Sequence, residues 1–261
     1  MHVRHALVTG AGQRLGRAMA VYLGSRGYDV AVHFASSGDG AEETADEIRR
    51  MGRNTVTLQA DLLDEDACAA LIPRAMKALG GPVTVLVNNA SIFEHDTVQT
   101  ATKALWDKHI GSNLRAPFVL TQEMARHVPD PVPDDMGEPV AQALVVNMVD
   151  QRVRKLTPHF MTYTIAKMGL WAFTQTAARG LAPRVRVNAI GPGPTLQGDG
   201  QSEAGYARQR SSTVLRRGSN PSDICGALGY FLDAPGVTGQ LLCVDGGQHL
   251  AWQTPDVSDL D

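Results

Sequence analysis

The chain has 261 residues, 43% of them apolar, 20% charged and 5% aromatic, with 26 glycines and 14 prolines; this composition excludes collagen and wholesale disorder and fits a folded enzyme. Lys and Arg number 24 against 27 Asp and Glu, a net charge of −3. With no basic run longer than Arg216-Arg217, the footprint of a nucleic-acid binder is missing and a small-molecule partner is expected. Cys68, Cys225 and Cys243 are odd in number and far apart, so they read as reduced thiols, with no metal site expected. No run of about 18 apolar residues suggests a membrane span, and Met1-His2-Val3-Arg4-His5 leads into a strand pattern without a secretory stretch. A cytoplasmic protein is expected, folded as one domain over 1–261.

In chain order, short Val, Ala and Leu runs predict strands near 5–9, 29–34, 55–60, 83–87, 143–148, 184–190 and 240–244. Between them, amphipathic stretches predict helices near 14–26, 40–51, 64–79, 101–127, 160–181 and 221–232. This alternation predicts an α/β, doubly wound (Rossmann) fold with a seven-stranded parallel sheet covered by helices on both faces. The segment 128–141, with prolines at 129, 131, 133 and 139, reads as an irregular surface excursion. The Gly-, Ser- and Gln-rich segment 191–220 reads as a substrate loop, because ligands of open α/β sheets bind beyond the carboxyl ends of the strands.

The first predicted strand ends in Thr9-Gly10-Ala11-Gly12-Gln13-Arg14-Leu15-Gly16-Arg17 and passes at once into a helix. Glycines there allow a sharp turn and close approach of backbone to a pyrophosphate, whose charge meets the positive end of the helix; a tight connection without a ligand is the alternative. The second strand ends in Ala35-Ser36-Ser37, with no acid to accept the ribose hydroxyls of NAD, while Arg14 offers a guanidinium for a 2′-phosphate, which favours NADPH. A solvated Arg14 is the bland alternative. Asp61, followed by Leu62, stands after the third strand; it either hydrogen-bonds an adenine or caps the next helix.

Tyr163 and Lys167 are four apart in a predicted helix, so they share one face. An ammonium beside a phenol favours the phenolate, so a lowered tyrosine pKa and proton exchange near neutrality are expected. Asp150 lies thirteen residues before Tyr163, at the end of the strand Leu144-Val145-Val146-Asn147-Met148. The strand Val83-Thr84-Val85-Leu86-Val87 ends in Asn88-Asn89-Ala90-Ser91. His33 and His159 receive no role.

These motifs, with Asn113, Pro192-Gly193 and Val244-Asp245-Gly246-Gly247, resemble the short-chain dehydrogenase/reductase family over nearly the whole chain. Two departures, Arg14 at the middle glycine of the turn and Asp150 at the usual catalytic serine, are similar to the pteridine reductase branch. So are the run Asn147-Met148-Val149-Asp150 and Phe93 after Asn89-Ala90-Ser91-Ile92. The resemblance implies an NADPH-dependent reductase of a dihydropterin or another flat heterocycle, and a homotetramer built on 101–127, 160–181 and the last strand. It assigns catalysis to Tyr163, Lys167, Asp150 and Asn113, the last holding a water behind Lys167, and substrate contact to Phe93, Asp150 and Tyr163. Cofactor contact falls to Gly10, Arg14, Leu15, Ser36, Ser37, Asp61, Leu62, Asn89, Ala90, Ser91, Tyr163, Lys167, Pro192 and Gly193. Ser36 replaces a residue often basic in that branch. Reduction of a C=N bond needs hydride at carbon and a proton at nitrogen, and a carboxyl relay suits the second better than a serine hydroxyl. Phe93 could instead be an ordinary core aromatic, Asn113 a helix-kink residue, and Arg152 and Arg154 contacts for an acidic substrate tail. Rival functions are a carbonyl reductase and a non-catalytic NADPH-binding sensor or scaffold.

Overall fold

A computed structural model describes residues 4–198 and 200–252. Seven parallel strands make the main sheet: β1 (Arg4–Val8), β2 (Tyr28–Phe34), β3 (Thr55–Gln59), β4 (Val83–Asn88), β7 (Ala143–Met148), β8 (Val185–Pro192) and β9 (Leu241–Val244), in the order β3-β2-β1-β4-β7-β8-β9. The predicted strands are all present, shifted by a residue or two at their ends. β1 and β4 are neighbours paired Val8 to Val87, yet the chain winds outward from them in opposite directions. The connections that leave their carboxyl ends therefore diverge and open a crevice.

The strands are apolar on both faces because both are covered. Helices α1 (Arg14–Ser25), α2 (Gly38–Arg50) and α8 (Pro221–Asp233) pack on one face around Met19, Leu23, Ile48, Leu228 and Phe231. On the other, α3 (Glu65–Leu79) and α5 (Ala116–Ala125) bury Leu71, Ile72, Leu120 and Met124, and α6 (Met161–Gly180) packs Leu170 beside Val149 and Ala189. No described helix is long and apolar enough to cross a membrane. Among the described residues no cluster of His, Cys, Asp or Glu has the make-up of a metal site, and Cys68 and Cys225 are buried thiols.

Three segments depart from the sequence expectation. The stretch 101–127 is two helices, α4 (Lys103–Ile110) and α5, joined by a π-turn at Gly111–Arg115; a wide turn leaves the polar pattern continuous, so periodicity alone does not reveal it. The excursion 128–141 holds a small antiparallel pair, β5 (Val132–Pro133) with β6 (Pro139–Val140). Its prolines are tolerated because the pair is an isolated two-stranded ribbon. The loop 191–220 contains α7 (Glu203–Ser211), with Ser202 as its N-cap accepting from Gly205 N–H. None of its residues is buried, which is why it lacks the apolar stripe that announces a helix.

Candidate active site

A cleft of about 520 Å³ lies over the carboxyl ends of β1, β4 and β7. One end is the glycine turn. Gly10 has φ +62°, and a Cβ on Gly16 would stand 2.0 Å from the Gly10 carbonyl oxygen, so the start of α1 is pressed against the turn in a way only glycine permits. Arg14 also adopts a left-handed backbone, φ +54°, in the conformation a glycine would take without strain. A non-glycine residue held there costs on the order of 1–3 kcal/mol and persists when its side chain is needed. Its guanidinium donates to the Gln197 carbonyl in the 191–220 segment at 2.9 Å, joining the turn to the loop that covers the cleft.

The turn is braced from two sides. Thr9 Oγ1 accepts from Asn89 N–H and Ala90 N–H, each at 2.9 Å, and the Asn89 side chain donates to the carbonyls of Thr9 (2.8 Å) and Gly10 (3.2 Å). On the other side Gly10 N–H donates to His33 Nδ1 at 3.0 Å, and His33 Nε2 lies 3.1 Å from the Ala60 carbonyl. Because Nδ1 accepts, the ring is the neutral tautomer with its proton on Nε2, and burial pushes its pKa down to about 4. The sequence reading gave His33 no role and left Thr9 unassigned. Only the β1–β2 register, Val8 beside Val32, puts His33 under Gly10.

At the substrate end, the Tyr163 hydroxyl donates to Asp150 Oδ2 at 2.9 Å, while Asp150 Oδ1 accepts from Arg152 N–H at 2.8 Å. Burial raises the Asp150 pKa from its ordinary value. Burial and then the facing carboxylate push Tyr163 well above its ordinary value. This corrects the expectation of a lysine-lowered tyrosine: desolvation and Asp150 outweigh the opposing Arg152 charge and Ser91 hydrogen bond, and the phenol keeps its proton at neutral pH. Lys167, 2% exposed, donates to the Met148 carbonyl at 2.7 Å, and burial brings its pKa down to about 8. The Tyr163 hydroxyl and the Asp150 carboxyl therefore titrate as a coupled pair.

Phe93 is half exposed at 51%, not a core aromatic. Its ring lies parallel to Phe160 with centroids 4.2 Å apart and edge-on to Tyr163 at 4.7 Å. Phe160 precedes α6 in a left-handed backbone, φ +56°, fastened by its N–H to the Asp96 carbonyl; no local pattern of residues points to it, since the pairing spans two distant loops. Asn113 sits fully buried in the π-turn, accepting from Ile92 N–H at 2.9 Å and donating to the Ile92 carbonyl at 2.8 Å. Its amide thus fastens the loop that carries Phe93 to the π-turn.

Most other expected cofactor residues, namely Leu15, Ser36, Ser37, Ser91, Pro192 and Gly193, line the cleft together with Gln13, Gln151, Thr195 and Gln209. Asp61 and Leu62 do not. Asp61 is exposed and accepts from Leu63 N–H at 2.9 Å through Oδ1, leaving Oδ2 open, and Leu62 is buried. Arg154 packs over the Trp171 ring away from the cleft, whereas Arg152 is on its wall.

A doubly wound sheet, a glycine cradle that any Cβ would fill, and a paired acid and phenol in one cleft define an oxidoreductase that uses a nicotinamide dinucleotide. The chain matches the short chain dehydrogenase family over residues 4–205, and it belongs to that family. It is 31% identical over 252 residues to the 3-oxoacyl-[acyl-carrier-protein] reductase FabG of Staphylococcus aureus (strain N315), covering 95% of this chain and 98% of that one. Among solved structures it is similar to FolM alternative dihydrofolate reductase 1 from Brucella suis in complex with NADP, at 41% identity, 98% coverage of both chains and a TM-score of 0.90. The corresponding FolM from Brucella canis, complexed with NADP, gives 40%, 98% of both and 0.88.

Proposed function

We propose that the protein reduces a carbon–nitrogen double bond of a dihydropterin or a related flat heterocycle with NADPH, the described chain acting as one domain and 191–220 as its substrate loop. The observation that carries this reading is the Asp150–Tyr163 hydrogen bond, beside the half-exposed Phe93 ring. The likeness to two FolM proteins supports it.

Bound in the cleft, NADPH would supply hydride. Gly10 and Leu15 would hold its pyrophosphate at the start of α1, Arg14, Ser36 and Ser37 would meet its 2′-phosphate, and Asn89, Ala90, Ser91, Pro192 and Gly193 would border the path to the nicotinamide. Lys167, with one of its three donors on Met148, keeps two for ribose hydroxyls. Phe93 offers a flat apolar platform for a ring. Tyr163 gives its proton to the ring nitrogen, and Asp150, whose pKa burial raises, relays a proton from solvent back to the phenolate. Because burial and the facing carboxylate keep the phenol protonated at neutral pH, Tyr163 is ready to act as the general acid.

A second reading, reduction of a keto group, draws on the FabG relatives. Side-by-side assay of NADPH oxidation with a 7,8-dihydropterin and with simple ketones separates the two; turnover of the ketones alone overturns the first. The exposed apolar residues Trp106, Phe118, Ile165 and Met168 on α4, α5 and α6 support the homotetramer that the family resemblance implies, which light scattering tests.

A further inference from the structure

Beyond the aromatic platform, the cleft wall carries a cation with no anion among the described residues in contact with it. Arg152 lies over the Phe160 ring with its guanidinium carbon 4.8 Å from the centroid, and 6.0 Å from that of Phe93. A hydrogen bond from Nη1 to Thr157 Oγ1 at 2.8 Å holds it there. No described carboxylate forms an ion pair with it: Asp150, two residues earlier, turns its oxygens to the Arg152 backbone and to Tyr163, and Glu94 at the same mouth pairs with Lys108 at 3.5 Å. The remaining donors of a planar fork, already held against the Phe160–Phe93 pair and by Thr157, are available to an incoming carboxylate. His95 and His159, 3.2 Å apart and exposed, line the same rim, His95 edge-on to Phe160, and add no negative charge. The phosphate-binding turn is at the other end of the cleft, so this cation is not needed for the dinucleotide.

We propose that Arg152 binds a carboxylate on the substrate's side chain, so that the preferred substrates are heterocycles with an acidic tail rather than bare rings. The inference rests on the reading of the cleft as a pterin site and deepens it. Pre-organisation sets its cost: a guanidinium that is already held against the aromatic pair and hydrogen-bonded loses little freedom when the carboxylate arrives.

The test is equilibrium binding to the enzyme loaded with NADP+, which has no hydride to give, so that affinity is read without turnover. Three oxidised probes are titrated: biopterin, without an acidic group, pterin-6-carboxylate, with a short acidic tail, and folic acid, with a long one. At least one of the two acids is expected to bind at least tenfold more tightly than biopterin. Arg152→Gln is expected to collapse that ratio, and Arg152→Lys, which keeps the charge and loses the fork, to restore part of it. A variant that weakens all three probes equally, or a wild type that prefers biopterin, overturns the proposal; the first result would mean that Arg152 acts only through Asp150 or the aromatic pair. Failure to oxidise NADPH with any dihydropterin would overturn the proposed function, while the binding ratios still decide the role of Arg152.

Discussion

Replacing Asp150 by Asn tests the proton relay with almost no change in shape. Asn Oδ1 can keep the hydrogen bond from Arg152 N–H, now 2.8 Å; the amide nitrogen then faces Tyr163 where the carboxylate accepts at 2.9 Å. Two donors would oppose each other, so the phenol must turn and accept, and the pair loses the group that restores its proton. A positioned general acid contributes about 10²–10⁴-fold, and the loss of kcat with a 7,8-dihydropterin is expected to be of that order, about 3–5 kcal/mol in barrier. The pH profile has a sign as well. The Asp150 pKa is raised in the fold, so the protonated carboxyl persists to higher pH than an ordinary one and kcat falls as pH rises through that raised value; the variant flattens this limb. Folding follows the same linkage: a carboxyl whose folded pKa is raised binds more protons in the native state, so its contribution falls as pH rises above the unfolded pKa. Asp150→Asn is therefore expected to match or exceed the wild-type Tm at neutral pH. NADPH oxidation followed by its absorbance, alongside thermal unfolding, measures both. A variant that keeps kcat within threefold and the same alkaline limb would refute the relay.

Other perturbations probe the remaining parts. Lys167 has its pKa lowered to about 8 by burial, so the unfolded chain binds more protons between about 8 and the ordinary lysine value, and stability gains as pH rises through that window; denaturant titrations should show this slope in the wild type and lose it in Lys167→Met. His33, lowered to about 4, contributes stability that is present above the ordinary histidine pKa and lost as pH falls toward 4. Protonating Nδ1 breaks the acceptor for Gly10, so His33→Phe should bind NADPH at least tenfold more weakly by fluorescence titration; unchanged affinity would show that Asn89 and Thr9 alone hold the turn. Ser36→Asp places a carboxylate at the expected 2′-phosphate position and should reverse the preference toward NADH by tenfold or more in kcat/KM. Retention of the NADPH preference would place the phosphate elsewhere.

The glycine turn, the Tyr163–Lys167 spacing and Asp150 were legible in the chain because each is a local pattern: a turn that needs glycine, two side chains one helical turn apart, a residue at a strand end. The alternation of strand and helix likewise gave the parallel sheet, since hydrophobic periodicity is a property of consecutive residues. What pairs across the fold was not legible. His33 under Gly10, Phe160 against Phe93, and Asn113 on Ile92 join residues 23, 67 and 21 positions apart, and only strand register and helix packing bring them together. The same holds for electrostatics. Lysine near tyrosine in the sequence suggested a lowered phenol pKa, but burial and the Asp150 carboxylate, both products of tertiary packing, turn the shift upward. Residue types and spacings thus settle which chemistry is at hand, whereas the depth of burial and the partner across the cleft decide its protonation state, because desolvation acts on a group's whole surroundings and not on its neighbours along the chain.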